Sequence, residues 1–288
     1  LFQYGTSELS QDAFLSWLAH WGDQGLSKIN NDMHKAGQSF LRMLTNGRDF
    51  KGATINVAQQ IAKVDIVIEA EWPDGKKHII VIEDKTYSSE HSNQLQRYKK
   101  DIKDKYKELS SESFTFIYLK TGEPIMPPSS DGWVLKTRKD LLSCIENYNN
   151  AHPVLAEFYQ YMKQREEDFN SWETSKAFPT TNKLFQTENG KIPIACWGFY
   201  TKLKASINPP KHLSAEEQSS FTRMSYVSNA RGGFACFTTG WTPLGKDFYT
   251  FMQISQERDA YLRIANWNEK ITKEEVSAIV EELKEQFS

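Results

Sequence analysis

The stretch VDIVIEAEWPDGKKHIIVIEDK, residues 64–85, decides how this chain folds. Two apolar runs, VDIVIEAEW and HIIVIEDK, flank Pro73-Asp74-Gly75, whose proline and glycine suit a tight turn. β-Branched residues dominate both runs, so each reads as a strand, and the turn lays the second antiparallel on the first. Residues two apart on a strand share a face. Ile79, Val81, Glu83 and Lys85 therefore lie on one side of the second run, with Ile80, Ile82 and Asp84 on the other. An antiparallel return sets early residues of one strand beside late residues of the other, which brings Asp65 to Glu83 and Lys85. Asp84 is turned away from that group and can at most support it from behind.

Two carboxylates and an ammonium at the ends of apolar strands are costly without partners, and a divalent cation is the natural one. Donors that are all oxygen favour Mg²⁺, with Mn²⁺ as substitute, over Zn²⁺. Such an ion acidifies a water, and together with Lys85 it would offset the charge that develops when a phosphodiester is hydrolysed. The competing reading is a solvated ion pair at the strand ends, because an Asp followed at a distance by Glu-x-Lys recurs by chance.

Outward from this hairpin, TINVAQQI at 54–61 reads as a preceding strand. Further upstream, SQDAFLSWLAHW at 10–21 spaces Phe14, Leu15, Trp17, Leu18 and Trp21 as one face of a helix, with Ser10 as its cap. Downstream, 93–109 is helical and rich in Arg97, Lys99, Lys100, Lys103, Lys105 and Lys107, either a guide for a phosphate backbone or a solvated face. FTFIYLK at 114–120 reads as a buried strand, 133–136 as a short strand and 138–148 as a helix. Another helix starts at Pro153 and runs towards Trp172, and FPTTNK at 178–183 marks a boundary between a first domain, 1–178, and a second, 179–288. The second alternates aromatic strands (MSYVSN, GGFACFTTGW, FYTFMQIS, AYLRIANW) with turns. It closes on a helix with a Thr272/Glu275 capping box.

Composition narrows the function classes. Thirty-five Lys and Arg against 37 Asp and Glu give a net charge of -2, so any contact with phosphates must come from a local patch. Cys144, Cys196 and Cys236 are too far apart for a metal finger and odd in number, which suits a reducing, cytoplasmic setting. No run is long and apolar enough to span a membrane. Six histidines lack metal-ligand spacing, and His78 reads as a surface residue near the strands. Walker loops and GxSxG elbows are missing as well.

The order of a helix with an acidic residue, a strand, the Asp65 strand, the Glu83-x-Lys85 strand and a helix reading NQLQRYKK resembles the PD-(D/E)XK nuclease superfamily. The likeness is to bacterial members that open like TSELSQDAFLSWLAHW and carry VIEDK followed by QLQRY, and it covers roughly residues 6–148. It implies an α/β, restriction-endonuclease-like core with a mixed central β-sheet flanked by helices, followed here by an α+β C-terminal extension for substrate recognition or oligomerisation.

By the resemblance, Asp65 and Glu83 match the metal-binding acidic pair, Lys85 the motif lysine, and Glu8 a further metal-binding acid from the first helix. Gln94 and Tyr98 match the glutamine and tyrosine of the helix after the lysine strand. Val64-Asp65 replaces the usual Pro-Asp. The activity implied is Mg²⁺-dependent hydrolysis of phosphodiester bonds by a DNA endonuclease, with DNA ahead of RNA as partner. A homodimer is suggested by analogy, and a role in bacterial defence against phage or mobile elements by the branch. The alternative is a catalytically silent nuclease-fold module that binds nucleic acid or a partner protein. A Schiff-base role for Lys85 is disfavoured by the neighbouring Glu83.

Overall fold

Three strands follow the period-two pattern: β1 (Thr54–Ile61), β2 (Val64–Glu71) and β3 (Lys77–Lys85). They pair antiparallel, with Val57 opposite Ile68 and Ile66 opposite Ile82. β4 (Phe114–Lys120) and β5 (Trp133–Thr137) then add in parallel, so the sheet is mixed and its order is β1-β2-β3-β4-β5. The computed structural model describes residues 1–5, 7–86, 88, 93–125, 128, 130–174, 194–209, 211, 214, 218, 221–229, 232–239, 248–254, 259–266 and 272–287. These divide into two compact units, Leu1–Glu167 and Asp168–Ser288.

In the first unit the sheet is covered on both faces. Ile66, Ile68, Ile80, Ile82, Ile117 and Leu119 pack against α1 (Glu8–His20), α2 (Asn31–Leu44), α4 (Arg138–Ile145) and α5 (Pro153–Asn170). Val67, Ile79, Val81, Phe116 and Tyr118 face α3 (Gln94–Lys105) through Leu95, Tyr98 and Ile102. Each fully buried Ile or Leu contributes on the order of 1.5–3 kcal/mol, so this alternation fixes the register of β3 strongly. A one-residue slip would exchange Glu83 and Lys85 with Asp84.

The structure corrects several local readings. α1 begins at Glu8 with Ser7 at the cap position, and Ser10 lies inside the helix, its hydroxyl 3.1 Å from that of Ser7. α2 was not anticipated, although its signals are in the sequence. Asn30 caps it by accepting from the amides of Asp32 and Met33, and Met33, Ala36, Phe40, Leu41 and Leu44 form its buried stripe. Gly37 breaks that stripe for a tertiary reason: a Cβ there would sit 2.2 Å from the Gly22 amide nitrogen.

His78 is buried, contrary to its surface reading. It shares a strand face with Ile80 and Ile82, and its Nε2 lies 2.9 Å from Thr115 Oγ1. Burial, aided by Arg48, lowers its pKa to about 4, so it is a neutral core histidine. The basic helix ends at Lys105, and the helix after β5 gives way at Glu146–Tyr148 to a 3₁₀ turn.

The second unit contains α6 (Ile194–Ser206) and an antiparallel sheet, β6 (Thr222–Asn229), β7 (Gly232–Thr239), β8 (Phe248–Ile254) and β9 (Ala260–Asn266), in sequential order. Cys196 and Phe237 are buried there, against Trp172, Phe199 and Tyr200. Helix α7 (Lys273–Phe287) opens with the expected reciprocal bonds, Thr272 N to Glu275 Oε2 at 3.0 Å and Glu275 N to Thr272 Oγ1 at 3.3 Å. The 178–183 stretch read as a boundary lies outside the described residues. Among the described residues no helix is long and apolar enough to cross a membrane.

Candidate active site

At the β1-facing end of β2 and the end of β3, the register places Asp65 across from Glu83, one pair beyond Ile66 and Ile82. The Asp84 amide donates to Asp65 Oδ2 at 2.9 Å, which turns that carboxylate towards β3. Lys85 Nζ lies 2.6 Å from Glu83 Oε1 and 3.8 Å from Asp65 Oδ2, so one ammonium is shared between the two carboxylates. From α3, Gln94 Nε2 donates to Glu83 Oε1 and to the Tyr98 hydroxyl, both at 2.8 Å. Gln94 and Tyr98 sit one turn apart and face the sheet side that carries Glu83.

Glu8 stands at the start of α1. Its Oε1 accepts from the Thr86 amide at 2.8 Å and the Ser88 hydroxyl at 2.9 Å, just beyond β3. The structure thus brings Asp65, Glu83, Lys85, Gln94 and Tyr98 into one connected group and sets Glu8 over the segment that leaves it.

Asp84 occupies the opposite face, as strand parity requires. Gln11 Nε2 from α1 donates to its Oδ1 and Oδ2 at 2.7 and 2.8 Å and also reaches Thr121 Oγ1 at 2.9 Å. Thr121 is fixed in turn by Arg138 Nη1, which donates to its carbonyl at 2.7 Å. Asp12, one position after Gln11, is buried against Asp84. These residues were not singled out in the sequence, although Glu8, Gln11 and Asp12 share a helix face at three- and four-residue spacing. Lys120 was also passed over. It pairs with Lys85 across the parallel β3–β4 ladder and donates to the Ser88 carbonyl at 2.6 Å. Strand parity from Phe116 and Tyr118 pointed to its face.

Electrostatically the site holds more carboxylates than cations. Burial and the Asp65 charge push Glu83 up to about 7 despite Lys85. Burial and Asp65 likewise raise Asp12 to about 7. Asp84 is raised well above its ordinary range by burial and by Asp12. Burial works to lower Lys85, but Glu83, Asp65 and Glu8 outweigh it and hold the ammonium above its usual value. An ammonium so held is no Schiff-base nucleophile.

A family model of the PD-(D/E)XK nuclease superfamily matches residues 10–228. The chain belongs to this superfamily. No curated protein and no solved structure matches it. The five-stranded mixed sheet between helices is the restriction-endonuclease-like α/β architecture of PD-(D/E)XK proteins, and membership points to nuclease chemistry.

Members of the superfamily generally use divalent metals, and the residues here fit one. Glu83 Oε2 is buried without a hydrogen-bond partner, Asp65 offers a second carboxylate beside it, and the raised acids register a shortage of positive charge. Among the described residues, no three of His, Cys, Asp and Glu form a ready metal cage.

Proposed function

We propose that this chain is a divalent-metal-dependent nuclease, with Mg²⁺ as the working ion and Mn²⁺ as substitute, that hydrolyses phosphodiester bonds in DNA ahead of RNA as an endonuclease. The observation that carries this reading is the convergence of Asp65, Glu83 and Lys85, with Glu83 Oε2 buried and unpartnered at its centre. Asp65 and Glu83 would hold the ion, with Glu8 as a further ligand. When bound, it would supply Lewis acidity towards a phosphoryl oxygen and acidify a water.

The protein's own residues do the rest. Lys85 presents a fixed positive charge where negative charge develops and can orient the attacking water. Gln94 holds Glu83 Oε1 in one rotamer, leaving Oε2 for the ion, and Tyr98 anchors Gln94. Asp84, clamped by Gln11, keeps the end of β3 in place from the other face.

The three cysteines are free thiols, which suits a cytoplasmic protein. Genome defence is the role suggested by the family branch, and paired active sites in a homodimer would serve two-strand cutting.

The test is incubation of the purified protein with plasmid, linear duplex, single-stranded DNA and RNA in Mg²⁺, Mn²⁺ or EDTA, beside Lys85→Ala. Cutting should require metal and fall by at least about 10²-fold in the variant. Cutting in EDTA, or cutting that survives the substitution, sinks the mechanism. Binding without any cutting by the wild type would favour a silent nucleic-acid-binding module.

A further inference from the structure

Beside the candidate site, the β1–β2 turn and helix α3 enclose a small cleft of about 170 Å³ lined by Ala62, Lys63, Arg97, Tyr98 and Asp101. Resting on the nuclease reading above, we propose that this cleft is a phosphate subsite. Lys63, Arg97 and the Tyr98 hydroxyl hold a phosphodiester of the bound strand that flanks the bond cut at Glu83.

Four observations support this assignment. Lys63 and Arg97 are exposed cations with no ion pair among the described residues, and with Asp101 they give the cleft a net single positive charge, which matches one phosphodiester. The Tyr98 oxygen already accepts from Gln94, so its own proton remains available to donate into the cleft. Gln94 bridges Tyr98 to Glu83 with two bonds of 2.8 Å, which ties the subsite to the acidic pair at close range.

The fourth observation is the turn itself. Ala62 and Lys63 are its only two residues between paired Ile61 and Val64, and both have positive φ, 52° and 66°. Such turns favour Asn-Gly, and a left-handed non-glycine residue costs roughly 1–2 kcal/mol. A strained turn that presents a lysine two residues before Asp65 fits a ligand clamp. Lys99 is committed to the Asp131 carbonyl at 3.0 Å and to the Phe116 ring, whereas Arg97 lines the cleft, one turn from Gln94.

The experiment uses the full chain carrying Lys85→Ala, to separate binding from cutting, and a fluorescein-labelled DNA duplex and single strand read by anisotropy across a salt series. Lys63→Ala and Arg97→Ala, each added to that parent, should weaken binding roughly five- to tenfold at low salt. Each should also reduce the slope of log affinity against log salt by about 1. Tyr98→Phe should lose about threefold with the slope unchanged, because it removes a neutral donor. Lys51→Ala, at the far end of β1, should change neither. If Lys63→Ala and Arg97→Ala keep the parent's affinity and slope while wild-type protein still cuts, the subsite is wrong and the nuclease reading stands. If the parent binds neither probe and the wild type cuts nothing, both readings fall.

Discussion

Replacing Asp12 with Asn should stabilise the metal-free protein in a pH-dependent way. Asp12 is buried, and burial, with the Asp65 and Glu8 charges, raises its folded pKa to about 7 against an ordinary 3.8, although the hydrogen bond to Asp84 works to lower it. A folded pKa above the unfolded one means that the native state keeps a proton that the unfolded chain releases. Stability therefore falls as pH rises from about 4, by up to about 1.4 kcal/mol per pH unit, and levels off above about 7. The full gap corresponds to roughly 4 kcal/mol, an upper figure because Asp84 relaxes with its neighbour. An Asn side chain has nearly the same shape, stays neutral, and can donate to Asp84 at every pH. Asp12→Asn should therefore match wild type near pH 4 and exceed it by about 2–4 kcal/mol at pH 8. Urea unfolding in EDTA at both pH values measures this, and the titration of Glu83 cancels in the comparison. A gain of equal size at both pH values, or none at pH 8, would refute the buried shared-proton picture of Asp12 and Asp84.

Three further variants probe the frame around the site. Gly122→Ala would place a Cβ 1.9 Å from the Thr86 carbonyl oxygen, so it should cost about 2–3 kcal/mol in urea unfolding and disturb the segment that binds Glu8. Glu123 bridges two buried guanidinium groups, Arg138 at 2.5 Å and Arg165 at 3.2 Å, and Glu123→Gln should lower stability by about 3–5 kcal/mol. A loss below about 1 kcal/mol would show that the pair is solvated. The double change Ala62→Asn, Lys63→Gly should raise stability by about 1–2 kcal/mol by relieving the positive-φ turn, while weakening DNA binding. Unchanged stability would remove the strain from the argument for the clamp.

The sequence by itself determined the β2–β3 hairpin, the face that Glu83 and Lys85 share, and their meeting with Asp65. A strand's period of two and an antiparallel return leave no other geometry. Helical spacing likewise placed Gln94 and Tyr98 together. What sits behind that face was decided only by the tertiary structure. Gln11, Asp12 and Thr121 come from α1 and from the end of β4, far from Asp84 in the chain, and no local period predicts that they converge. α2 escaped because Gly37, which interrupts its stripe, is explained only by the close approach of Gly22. His78 read as a surface residue by type, and is buried because the sheet is covered by helices on both faces. Local periodicity states which way a side chain points. Long-range packing states what it meets there, and the charge balance of this site depends on the second.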